Sequence, residues 1–369
     1  MHRFENKALV NSGRFLLMLG NERNMQGKTM SMQFGIMMRG QFPQGDNVAD
    51  RFAEMMEQAR MAETLGYHSI TKGAHYSTHP LQDLQQVPFL CRVAAEAPSL
   101  RLNTGVLLLP LHKPLDVAEQ LGTLDIITNG KLIFGCGVGY RDVELAAFGT
   151  SKAERASRFE ENLTAIKRLW TEETVTMKGS HFDLIDAGCS AKPVQKPLPP
   201  IWIGGSADAV IRRAARMGSC WYVGPNDRLE ELESQVETYK RALDAEDKPF
   251  PDEFPLRREV FCAPTREEAY RLAEGPIMTK YKAYHAWGLG RSRPDSKDEL
   301  GQPFEELLKD RFFIGSPDDV AEQIIKFNKR VGMNHIVMSM HWPGLEVARS
   351  METMQLLAEE VFPRVQQGI

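Results

Sequence analysis

Eight short β-rich runs alternating with helix-period segments constrain this chain more than any other feature. They begin at Gln33 ("QFGIMM"), Tyr67 ("YHSIT"), Leu100 ("LRLNTGVLLL"), Lys131 ("KLIFGC"), Ile201 ("IWIGG"), Ser219 ("SCWYV"), Leu256 ("LRREVFCA") and Asn334 ("NHIVMSM"). The first four start about 31 to 34 residues apart, the length of one strand-plus-helix unit. Eight such units close a (β/α)8 ring, so the expected fold is α/β, a TIM barrel. Between the runs, Val48, Phe52, Met55, Met56, Ala59 and Leu65 share one face of a predicted helix over 46–65, and Gly66 supplies its stop. Ser151-x-x-Glu154 reads as a capping box, and Ser316-Pro317-Asp318-Asp319 combines a cap, an N1 proline and an acidic first turn.

Two intervals, near 171–199 and 275–312, are too long for one unit and rich in Gly, Pro and charge. They are read as insertions, the kind of segment that builds an active site. Residues 1–29 are polar, and their one apolar run, "FLLMLG" from Phe15, is too short for a signal peptide. They are read as an extension outside the fold, with the barrel domain spanning 30–369.

Charge and cysteine usage exclude several classes of partner. The net charge of −4 comes from mixed acids and bases, with no basic field for nucleic acid. Five scattered cysteines without a C-x-x-C pair point to reduced thiols and a cytoplasmic location. No window approaches the roughly 18–20 apolar residues of a membrane span, so no membrane partner is expected.

In a barrel of this kind the chemistry sits at the C-terminal ends of the strands. Those ends hold Met37 to Arg39, Gly73 to His75, Thr104 to Val106, Gly135 to Gly139, Gly204 to Ser206, Tyr222, Val223, Cys262 and Met340 to Trp342. This rim is apolar, rich in glycine and nearly free of carboxylates. It offers no ligand cluster for a divalent metal and no carboxylate pair for glycoside hydrolysis. A flat apolar ligand with an anionic tail suits it better.

Individual motifs admit two readings each. "IWIGGSADAV" carries a strand through Gly204-Gly205-Ser206 into a helix start, which is either an anion site or an ordinary turn. "GCGVGYRD" places glycines at alternate positions where backbone lies against a ligand or bends at the barrel mouth; its spacing is not that of a dinucleotide fingerprint. Gly105 within "LNTGVLLLP" marks a bulge or a kink. His75 and His341 end the second and eighth runs and are read as functional or as hydrogen-bonding structural residues, whereas Trp202 and Trp221 read as packing.

Taken together, "MQFGIMM", "RLNTGVLLLPLHKPLDVAEQLGTLDIITNGKLIFGCGVGYRDVE", "KPLPPIWIGGSADAVIRRAARMGSCWYVG" and "FIGSPDDVAEQIIKFNKRVGMNHIVMSM" resemble the bacterial luciferase-like monooxygenase family. The resemblance implies a barrel that uses a flavin or a deazaflavin. By position, Thr104, Gly105 and Val106 fall at a non-proline cis peptide against the isoalloxazine ring, with the cis bond at Gly105–Val106. Val138 and Gly139 fall beside the ribityl and phosphate end, and Gly204, Gly205 and Ser206 at the phosphate. His75 is the implied catalytic proton carrier. Met37, Tyr76, His285, Trp287, His341 and Trp342 are expected to line the substrate pocket, with a lid from the 275–312 insertion carrying Tyr281, Tyr284, Gly288, Gly290 and Pro294.

The implied activity is a monooxygenase that uses reduced FMN and O2 on a small organic substrate. No Rossmann fingerprint is present, so a separate NAD(P)H flavin reductase is the expected partner, and a homodimer the expected assembly. Two alternatives keep the barrel: a hydride-transfer oxidoreductase using coenzyme F420, and a non-catalytic flavin-binding protein. The chain also departs from the family. "KGAHYSTH" has Gly73 and Ala74 where many members carry an acid or a second histidine. Val138 stands where a luciferase subunit has arginine, leaving phosphate charge to amides, a helix dipole or a base from elsewhere.

Overall fold

The computed structural model describes residues 31–38, 40–73, 75–286 and 300–369. The 1–29 extension, Arg39, Ala74, Trp287, Gly288, Gly290 and Pro294 lie outside the described residues. Eight parallel strands form the barrel: β1 (Gln33–Met38), β2 (Ser69–Lys72), β3 (Arg101–Asn103), β4 (Leu132–Gly137), β5 (Ile201–Gly204), β6 (Cys220–Tyr222), β7 (Pro255–Cys262) and β8 (His335–Ser339). Each pairs with the next, β8 pairs back onto β1, and the Val223–Leu256 bridge joins β6 to β7 and completes the ring. The expected (β/α)8 barrel is thus the fold.

The strands read as near-continuous apolar runs because both faces are covered. Alternate residues face inward, so Met37, Ile133, Trp202, Cys220, Tyr222 and Val337 pack together inside the ring. Their sequence neighbours Ile36, Phe134, Ile203, Trp221 and Ile336 join the larger cluster between strands and helices. Trp202 and Trp221 are buried packing residues, as expected.

Local signals set most helix boundaries. The Val48–Thr64 helix starts at Asn47, whose Oδ1 accepts the Ala49 N–H at 3.1 Å, and Gly66 follows its end at φ 76°. The Pro317–Val331 helix has the Ser316/Asp319 capping box and a left-handed Gly332 at φ 75°. The other predicted box fails. Ser151 opens a turn whose carbonyl accepts the Glu154 and Arg155 N–H groups, and the helix begins at Arg155.

Of the two long intervals, the first contains an antiparallel hairpin, Val175–Lys178 with Asp183–Ala187. The second begins as helix rather than loop, because the Arg266–Ala286 helix runs through Gly275 and Pro276. A five-residue helix, Phe304–Leu308, then leads into the strand Phe313–Gly315, which pairs with the end of β7.

Candidate active site

The C-terminal strand ends enclose a cavity of about 630 Å³. Its size falls in the range of small-molecule and cofactor sites. The Gly105–Val106 peptide on its wall is cis. Val106 sits in a socket made by glycines of the neighbouring strands. A Cβ on Gly137 would stand 2.9 Å from Val106 Cγ2, and one on Gly204 only 2.7 Å from Val106 Cγ1. Gly135 is needed for a different contact, because a Cβ there would stand 2.3 Å from Asn103 Oδ1 and 2.9 Å from Gly105 Cα. The alternating glycines of "GCGVG" therefore make room for the bulge, and Gly137 and Gly139 also line the cavity.

Gly105, Val106, Val138, Gly139, Gly204, Gly205 and Ser206 all line this cavity, as do Met37 and His75. Gly204 to Ser206 lead into the Asp208–Met217 helix, whose N-cap, Ala207, offers no side-chain hydrogen bond to the first amides. Such an uncapped N-terminus holds open N–H groups and the positive end of the dipole toward the cavity. Trp221 Nε1 donates to the Gly205 carbonyl at 2.7 Å and fixes the turn from behind. One base absent from the motifs above, Arg155, also stands at this cavity. It donates through one guanidinium nitrogen to the Gly139 carbonyl at 2.9 Å. Its sequence signal is its place at the start of the second helix after the glycine loop.

His75 is held by an acid that sequence reading missed. Its Nδ1 stands 2.9 Å from Glu144 Oε1, and the same oxygen accepts the Tyr76 N–H at 2.8 Å and lies 3.3 Å from Arg141. Burial raises the Glu144 carboxyl, but the His75 contact, the Tyr76 amide and Arg141 outweigh it and hold it below the usual range. Ionised Glu144 accepts from Nδ1–H, which leaves Nε2 of His75 as the second, available ring nitrogen. The His75 side chain is 20% exposed and that of Glu144 only 1%. The acid absent from "KGAHYSTH" is thus supplied by the Asp142–Ala147 helix.

Five expected site residues lie elsewhere. Thr104 is buried and turned toward β4, where its Oγ1 donates to the Gly135 carbonyl at 3.0 Å, so it ties the bulge down instead of facing the cavity. Tyr76 packs edge-on against Phe148, with ring centroids 4.5 Å apart, because its backbone is pinned by Glu144 and Arg141. His341 is taken by the Leu345 carbonyl, 3.1 Å from Nε2. Trp342 is buried and donates to Glu259. His285 stands beside Gly301, outside the cavity lining, whereas Tyr284 one residue earlier reaches the cavity. Tyr281 is buried with its hydroxyl on Glu259 at 3.2 Å.

Fold and site together define a (β/α)8 barrel with a glycine-walled cavity at the C-terminal strand ends, bordered by Lys152, Arg155 and Arg257. The luciferase-like monooxygenase family matches residues 32–335, and the chain belongs to it. Among similar proteins, the oxygenase component of a flavin-dependent trigonelline monooxygenase from Acinetobacter baylyi is 24% identical over 330 residues, 85% of this chain and 89% of that one. An F420-dependent glucose-6-phosphate dehydrogenase from Amycolatopsis mediterranei is 25% identical over 327 residues, 85% of this chain and 94% of that one. Among solved structures, a monooxygenase from Streptomyces bottropensis superposes with a TM-score of 0.78 at 25% identity, covering 90% of this chain and 99% of that one.

Proposed function

We propose that the protein is a monooxygenase component that takes reduced FMN from a separate NAD(P)H flavin reductase and oxidises a small organic substrate with O2. The observation that carries this reading is that one cavity is lined by the Val106 bulge, by Ser206 at an uncapped helix N-terminus and by Arg155 beside the Gly139 carbonyl. That arrangement fits a planar ring system joined to a phosphate. Bound reduced FMN would supply the electrons and the oxygen activation.

The chain's own residues do the rest. Val106 presents an apolar surface to one ring face, and the glycines beside it leave room for that bulge. The amides at the start of the Asp208–Met217 helix, Ser206 and Arg155 hold the phosphate. Met37, Val106, Leu108 and Tyr222 give the cavity apolar walls that exclude water from the reacting groups. His75 carries the proton through Nε2 while Glu144 fixes its ring and tautomer. The same reading places the protein in the cytoplasm, consistent with five free cysteines, and as a homodimer.

The family also contains F420-dependent relatives, so the decisive experiment binds each reduced cofactor anaerobically and follows its oxidation with and without O2. Reduced FMN should bind and turn over only with O2, substrate and an added flavin reductase. Tight binding of reduced F420 with none of FMN would replace this reading by hydride transfer. Ser206→Asp should weaken FMN binding strongly and riboflavin binding little, because only the phosphate meets the new charge. Equal losses for both ligands would remove the phosphate assignment.

A further inference from the structure

The cavity carries more positive charge than a flavin phosphate uses. Two acidic or basic members of its lining are already paired: Asp83 with buried Lys72 at 3.0 Å, and Lys152 with Asp142 at 2.8 Å. Arg155 belongs to the end where the phosphate is placed above. That leaves Arg257. Its neighbours Leu256 and Arg258 face the surrounding helices, Leu256 in the outer core and Arg258 over the Phe327 ring at 5.2 Å. Arg257 between them points inward and lines the cavity from β7. Its Nε is buried without a hydrogen-bond partner, and no carboxylate pairs with it among the described residues. Asn226, which also lines the cavity, likewise has a buried Oδ1 without a partner among the described residues.

We propose that Arg257 recognises a carboxylate on the organic substrate, so that the substrates of this site are small organic acids. The inference rests on the flavin reading above, since it assigns Arg155 to the phosphate. A half-buried guanidinium without a counter-ion is costly, and a ligand carboxylate would meet its planar fork with two parallel hydrogen bonds. Asn226 Oδ1 would accept a hydroxyl or N–H beside that carboxylate. Tyr284 brings the insertion helix to the same cavity and closes its apolar side.

The test titrates benzoate and hexanoate, each beside its uncharged amide, against the protein with and without saturating FMN. Thermal unfolding is the readout, since a ligand of the native state alone raises the transition. At least one carboxylate should stabilise the protein where its amide does not. Arg257→Met should weaken that carboxylate roughly 10- to 100-fold, the weight of a charge-assisted hydrogen-bond pair, while leaving FMN affinity within about twofold. Arg257→Lys should retain part of the binding.

If neither carboxylate outperforms its amide on the wild-type protein, the proposal fails, whatever the variants do. It fails equally if Arg257→Met weakens FMN but not riboflavin, which would give Arg257 to the phosphate. Carboxylate binding through Arg257 in a protein that takes no FMN would instead overturn the flavin reading and leave this site standing.

Discussion

At the floor of the barrel His335 Nδ1 stands 2.8 Å from Glu253 Oε1, and at the mouth His75 Nδ1 stands 2.9 Å from Glu144 Oε1. The two pairs have the same chemistry and nearly the same length. They differ in what holds the other ring nitrogen. His335 Nε2 is 2.8 Å from Ser69 Oγ, its side chain is fully buried, and the ring packs edge-on to Trp202 at 5.1 Å. His75 Nε2 has no such partner among the described residues, and the ring borders the cavity. A serine, histidine and glutamate in hydrogen-bonded series at the floor therefore form a structural brace, because no lining residue of the cavity belongs to it. Protonation follows the same division. Burial pushes His335 down against the pull of Glu253, so it stays neutral and passes one N–H to the carboxylate. Burial raises Glu253, but His335 and Arg101 outweigh that and hold it at about 2.

The strongest test of the contrast removes the floor carboxylate. Glu253→Gln should lower stability at pH 7 by on the order of 3 kcal/mol, because Arg101 and His335 lose their acceptor charge. The sign with pH follows from the depressed value. Glu253 contributes fully above its ordinary range near pH 4.5, and the contribution disappears as pH falls toward about 2. Denaturant titrations across that window should show an acid-side slope in the wild type that is flatter in Glu253→Gln. Equal slopes would mean that the floor pair is not linked to folding. Turnover of the folded variant should be close to normal.

At the mouth the same surgery should act on rate rather than on folding. His75→Ala is expected to cut product formation by roughly 10²-fold or more, with flavin affinity held within a few-fold and little change in unfolding temperature. Turnover near the wild-type level would make His75 a second brace. Glu144→Gln keeps an acceptor for Nδ1–H but loses the charge, so its loss of turnover should be smaller, roughly tenfold. A Glu144→Gln defect as large as that of His75→Ala would move the essential proton to the carboxylate. The mildest change is Ser69→Ala. It should cost about 1 kcal/mol of stability, the weight of one hydrogen bond, and leave steady-state rates unaltered. A selective loss of activity there would break the division between floor and mouth.

Much of this architecture was legible without coordinates, because it is written in short-range periodicity. Eight apolar runs specified eight strands, and the cap at Ser316 and the stop at Gly66 placed helix ends, since those signals act within a turn or two of chain. The glycine-rich rim and the kink at Gly105 were visible for the same reason. Direction and partnership were not. Thr104 and Val106 lie two residues apart on one bulge, yet one faces β4 and the other the cavity, and sequence alternation loses its meaning where the backbone leaves regular strand geometry. Glu144 reaches His75 across 69 residues, and Glu253 reaches His335 across 82. Those pairings exist only once the ring closes and brings distant strand ends to one floor and one mouth. By itself the sequence determined a barrel with an apolar, glycine-rich rim at its C-terminal strand ends. Tertiary structure decided which histidine is braced, which one borders the cavity, and that Arg257 stands there without a counter-charge among the described residues, because those outcomes depend on neighbours that are adjacent only in space.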